Sequence, residues 1–282
     1  VQVFANGVAV GAVLFLMAAG LSLLIGAMGV LNLAHGAVYM VGAYVAWTIG
    51  IDYGLPFPVA VIGAGVGAGV LGVVFERLFH LIQGRPDEQI LLSFGLIYVI
   101  TNATQWIWGP IAKSPFQVSW LSGSVEVGSV AIPTVRLAIA AVGFVVAGVL
   151  WFVQERTRAG AIVRAGMDDP DMVRALGINL DVVVAAVFVL GSAVAGIAGA
   201  MGGLVSGPSS AQAIDVLLLA LIVVVVGGVG SVTGTFLAAI LIGILDAYSR
   251  SWFPEMSSVT LYALMAAVLV IRPTGLSGRV AT

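Results

Sequence analysis

Residues 29–40 read GVLNLAHGAVYM. They follow an apolar run over 3–25 and lead into another that reaches residue 49. Asn32 and His35 sit between Gly29 and Gly36, two polar groups in a stretch that otherwise suits lipid. Hydrocarbon offers no hydrogen bonds, so a break in a membrane helix has to satisfy its own backbone groups. Gly29 lets the chain break, Asn32 is placed to cap a helix starting at 33, and His35 falls at its third position. One reading of the pair is therefore structural: both side chains serve the first-turn N–H groups. The other is functional: an exposed positive helix end in a broken membrane helix faces an anionic group of a passing solute. The backbone requirement favours the first, and the two are compatible.

The surroundings of this stretch set the class. Of 282 residues, 61% are hydrophobic and 9% charged, against about 25% charged in a soluble domain. Nine apolar segments run over 3–25, 33–49, 57–79, 90–108, 135–153, 182–205, 214–226, 232–246 and 259–272. Runs such as VVVAAVFVL are apolar on every face, whereas a barrel strand would alternate. The chain thus reads as an all-α, polytopic membrane bundle of about nine segments in a single domain over 1–282. Two segments, 214–226 and 232–246, are short of a full span and flank a second Gly-rich break, GGVGSVTG at 227–234. Paired interruptions in oppositely oriented halves suggest an inverted repeat of the transporter kind. The first apolar run lacks a basic leading region and is followed by further spans, so it does not read as a removable signal.

Charge distribution orients the set. Arg77 and Arg85, then Arg156, Arg158, Arg164 and Arg174, then Arg272 and Arg279 fall on one side under the nine-segment count. That is eight of the eleven Lys and Arg residues, which places this side in the cytoplasm. The N-terminus is then outside and the C-terminus inside. The loop 109–134 lies outside and is long enough for a partner to touch.

Much chemistry is excluded. There is no cysteine, the histidines are His35 and His80, and no H-E-x-x-H occurs. No Gly-x-Ser extends to G-x-S-x-G. The G-x-G-x-x-G at 67–72 lies inside an apolar span, where small residues serve helix packing. No Walker A loop is present, and no basic patch suggests nucleic acid. Charged residues avoid the middle of every predicted span, which argues against an ion relay. A chain that moves something without a relay or an ATPase takes its energy from another subunit. A membrane enzyme is disfavoured; a free-standing channel or facilitator for a small neutral solute such as urea stays open.

Within the arginine-rich loop 154–181, DDPDMVRALG at 168–177 predicts a short helix over 170–176. Asp169 suits the N-cap, Pro170 the first position, Asp171 the positive end, Arg174 the last turn, and Gly177 the C′ site. A helix this short is marginal alone, so it is held either by its own membrane domain or by a partner. Polar groups also lie within the spans. Tyr39 follows the first break, and Ser93, Thr101, Asn102 and Gln105 recur, with Tyr98, at three- and four-residue steps. Such a face suits a path, or helix–helix hydrogen bonds.

Three stretches carry a resemblance: GVLNLAHGAVYMVGAY at 29–44, RTRAGAIVRAGMDDPDMVRALGINLD at 156–181 and GGVGSVTGTFLAAILIGILD at 227–246. In this order they resemble permeases of the branched-chain amino acid (Leu/Ile/Val) type ABC importers, over nearly the whole chain. The Asn-Leu-Ala-His-Gly form is similar to the first of the two permeases that pair in such importers. The resemblance implies an inner-membrane permease with a sister permease, two cytoplasmic ATPases and a periplasmic solute-binding protein. It implies that 170–176 docks into an ATPase and that ATP and Mg are bound by those partners, with no cofactor in this chain. Relatives of this type also carry urea, short amides or aromatic acids, so the resemblance leaves the solute open.

Overall fold

Each predicted apolar segment falls on a helix in the computed structural model, which describes residues 2–29, 31–127, 130–271 and 275–276. The order is α1 (Gln2–Met28), α2 (His35–Trp47), α3 (Phe57–His80), α4 (Pro86–Trp108), β1 (Ser124–Val127), β2 (Val130–Pro133), α5 (Thr134–Arg156), α6 (Arg158–Asp168), α7 (Pro170–Ala175), α8 (Leu180–Ser206), α9 (Gln212–Gly227), α10 (Val232–Trp252) and α11 (Ser257–Ile271). Six of these, α1, α3, α4, α5, α8 and α10, are long and apolar enough to cross a membrane. The other three predicted segments fold as helices of 13, 16 and 15 residues, α2, α9 and α11. The structure is therefore an all-helical bundle, consistent with a polytopic membrane protein, with six helices long and apolar enough to span a bilayer among the described residues. Arg272, Arg279 and the end of the last predicted segment lie outside those residues.

Small residues set the packing. Lipid is as apolar as leucine, so helices associate through close backbone approach. α3 lays Ala60, Ala64, Ala68 and Gly72, all buried, against α8. A Cβ on Gly72 would meet Ser192 Oγ at 2.7 Å, and one on Gly196 would strike Ala64 O. Gly11 would meet Ala239 O of α10 at 2.8 Å, which closes α1 onto α10. α1, α2, α8 and α9 form the centre, where Phe15, Leu16, Met17, Leu21, Met40 and Tyr44 are fully buried. α4 and α5 pack by one side only and leave Leu91, Val99, Trp106, Val145 and Phe152 exposed.

The 109–134 segment is more ordered than its Gly, Ser and Pro content suggests. β1 and β2 form an antiparallel hairpin with Ser124 opposite Pro133. Phe116 is buried against Phe57, at a ring distance of 5.7 Å, and against Gly203. The Lys113 amide donates to Pro208 O at 2.9 Å. This segment clamps the turn between α8 and α9. At the opposite end, 154–181 holds two helices rather than one, because Thr157 caps α6 by accepting from the Gly160 amide at 3.2 Å.

Candidate functional site: two interrupted helices and a capped surface helix

α2 starts inside the bundle. Its first residue, His35, is fully buried, and Nε2 lies 3.3 Å from the Met17 carbonyl oxygen. Met17 is fifteen residues from Gln2 and eleven from Met28, about 22 and 16 Å along the axis at 1.5 Å per residue. The chain therefore leaves α1 at one end of the bundle and re-enters to roughly mid-depth before helix resumes. Such backbone is tolerated because protein surrounds it: Asn32 and Ala34 are both buried. Asn32 Oδ1 accepts from the Ala34 amide at 3.0 Å, and its carbonyl accepts from the His35 amide at 3.3 Å. The helix begins two residues later than expected, so His35 is its first residue and not its third. Asn32 caps a turn that precedes the helix, because the Asx-type bond competes with helical geometry at 33–34.

The break that meets this one precedes α9. A Cβ on Gly36 would strike Ala213 O, and Leu217 Cβ is 2.9 Å from the same point. The first turns of α2 and α9 thus lie side by side, one entered through 29–34 and the other through 207–211. The predicted partner break, 227–234, is instead a turn at the α6–α7 end of the bundle. There Ser22 Oγ accepts from the Gly230 amide at 2.9 Å, and Gln154 Nε2 donates to Gly230 O at 2.7 Å. Gly228 and Gly230 take φ of 96° and 76°, which glycine alone adopts freely, so the motif reads as a turn between α9 and α10.

The sequence-derived pathway residues divide in this geometry. Tyr39 is buried on α2 with its hydroxyl against Gly202. Ser93 is buried and donates to Ile90 O at 2.8 Å within its own helix. Asn102 is exposed and donates to Tyr98 O at 2.8 Å. Thr101 and Gln105 converge with the second break. Gln105 Nε2 donates to Ser210 Oγ at 3.1 Å. Thr101, Gln105, Tyr98, Ile97, Ser210 and Ile214 line a groove of about 250 Å³ between α4 and α9. Asn32, His35, Tyr39 and Ser93 do not reach this groove. Ser210 lines the groove, and Asp215 follows the groove residue Ile214; neither is among the residues expected from the sequence. Asp215 is exposed in the first turn of α9, and the carboxylate inside an otherwise apolar helix was the available signal.

α7 forms as its caps require. Asp169 Oδ1 accepts from the Met172 amide at 2.9 Å, and Pro170 opens the helix. Asp171 pairs with Arg174 at 3.2 Å. The helix stops at Ala175, one residue early, with Gly177 at φ 80°. The Gly177 amide donates to Arg174 O at 2.9 Å and Ile178 to Val173 O at 3.4 Å, the paired bonds of a left-handed C-terminal stop. Val173 is buried, whereas Met172 and Leu176 are 58% and 71% exposed on the outer face. Beside α7 lies a cleft of about 620 Å³ lined in part by Glu76, His80, Arg85, Gln89, Arg174 and Asp181.

A helical membrane bundle with two interrupted helices meeting at mid-depth has the architecture of a transporter's membrane subunit. The model of one family, "Branched-chain amino acid transport system / permease component", matches residues 3–269, and the chain belongs to that family. It is similar to the high-affinity branched-chain amino acid transport system permease protein LivH of Escherichia coli (strain K12), 32% identical over 97% of this chain and 94% of that protein. BraD of Pseudomonas aeruginosa, named likewise, is 30% identical over 99% and 95%. LivM of Escherichia coli (strain K12) is 28% identical over 91% of this chain and 66% of its own length. Among solved structures, PsaBC from Streptococcus pneumoniae in complex with Fab aligns over 94% of this chain and 89% of that one, at 14% identity and a TM-score of 0.48.

Proposed function

We propose that this chain is the transmembrane permease subunit of an ABC importer for branched-chain or closely related amino acids. It works in the inner membrane as one permease domain over 1–282. The observation that carries the reading is the family match over 3–269, together with relatives named as branched-chain amino acid transport permease proteins that align over nearly their whole length. A sister permease, two cytoplasmic ATP-binding subunits and a periplasmic solute-binding protein complete the importer. ATP and Mg are bound by those partners and no cofactor by this chain. Nine crossings, with the N-terminus outside and the C-terminus inside, put α7 and the arginines of 154–181 in the cytoplasm. The opposed entries of α2 and α9 suit an inverted repeat that rocks between two states.

Loop 154–181 is the coupling element. Asp169, Pro170, Asp171, Arg174 and Gly177 shape α7, and Met172 and Leu176 present an apolar face to the ATPase. Asn32 and His35 hold the inner break, while Tyr39, Ser93, Thr101, Asn102 and Gln105 line or support the path.

Purification of the tagged chain from its native membrane tests this reading. ATP-binding subunits are expected to co-purify, and reconstituted vesicles should take up leucine only with ATP and the binding protein. Recovery alone, with uptake in ATP-depleted vesicles, would establish the facilitator instead.

A further inference from the structure

Two carboxylates lie on helices within the membrane body away from their arginine-rich ends, and they are treated differently. Asp246 of α10 is buried and held by Arg250 Nε at 2.8 Å. Asp215 of α9 is exposed, and among the described residues it has no ion-pair partner. Its depth follows from two packing contacts. The first turn of α9 abuts Gly36, and the first turn of α2 abuts Met17 near the middle of α1. The exposed face at the start of α9 runs Ile214, Asp215 and Leu218, with exposed Ala211 just before the helix, so the carboxylate sits beside the groove that Ile214 lines with α4. A bare carboxylate at this depth does not face hydrocarbon; it faces water or a cation.

We infer that Asp215 is the cation-recognising group of the translocation path and receives the α-ammonium of the solute at the mouth of the α4–α9 groove. The inference rests on the reading that the solute is an amino acid. The groove supplies the rest of a zwitterion's needs. The hydroxyls of Tyr98, Thr101 and Ser210 are donors for the carboxylate, and Ile97 and Ile214 are aliphatic walls for the side chain. A first-turn carboxylate also suits the α9 dipole, but that role needs no access to water from the path and no fixed charge on the solute.

The test uses the complete importer in vesicles: this chain, its sister permease, the ATPases and the binding protein. Asp215→Asn should lower leucine uptake at least tenfold in importers that assemble with all their subunits, and Asp215→Glu should restore most of it. In a chain without cysteine, Asp215→Cys should react in the assembled importer with a water-soluble, membrane-impermeant thiol reagent. Wild-type leucine uptake by Asp215→Asn, or no reaction of Asp215→Cys, overturns the inference and leaves the proposed function standing. A wild-type importer that moves only an uncharged solute such as urea overturns both.

Discussion

Gly177→Val is the sharpest probe of coupling. Gly177 holds φ at 80°, and no atom lies within 4 Å of where its Cβ would be. The substitution therefore meets no clash, and its whole effect is backbone strain, because a β-branched residue is strongly disfavoured at positive φ. That strain is about 1–3 kcal/mol, equivalent to a roughly 5–150-fold shift between two local states. α7 is six residues long and depends on its two caps, so a shift of this size unwinds its last turn and displaces Leu176. The membrane helices bury their surface elsewhere and should insert normally. Uptake by the reconstituted importer should fall in proportion, with hydrolysis no longer stimulated by the loaded binding protein. Gly177→Asn, which tolerates the left-handed region, should retain most activity. Wild-type uptake by Gly177→Val at matched expression, or equal damage by Asn and Val, would refute a mechanism that runs through the shape of α7.

Other outcomes follow from the same geometry. Single cysteines in place of Ser124 and Gln83, both exposed, should report the orientation: an impermeant reagent on intact spheroplasts should label position 124 and spare 83, and the reverse pattern inverts the topology. Asn32→Ala strands the buried Ala34 amide, a loss of about 1–3 kcal/mol that should lower the melting midpoint in detergent even where uptake survives. Gly36→Ala drives a methyl into Ala213 O and should cost about 1–3 kcal/mol by overpacking. Gly95→Ala, with nothing within 4 Å of its Cβ, should leave both melting and uptake unchanged.

Much of this protein was legible in the linear chain. Helices that are apolar on all faces mark themselves by length and composition, since lipid imposes no amphipathic period. α7 was legible almost to the residue, because Asp169, Pro170 and Gly177 act on neighbours within three positions. The interruption at 29–34 was legible for the same local reason, although Asn32 caps two residues short of the helix. What could not be read was which break meets which. The GGVGSVTG stretch looks like the partner of the first break, yet its glycines only turn the chain at the bundle's end. The partner is the less conspicuous GPSSA before α9, brought to Gly36 by helix packing across some 175 residues of sequence. Depth was equally hidden: Asp215 stands at the edge of a predicted segment and reads as a loop-end charge, and its place at mid-bundle comes from the backbone approach of Gly36 to Ala213 and from the His35 ring against the Met17 carbonyl. Local capping and hydropathy act through covalent neighbours and are written in order along the chain. Which turns face one another, and how far each lies from water, depends on small-residue contacts between helices, which have no address in the sequence until the bundle closes.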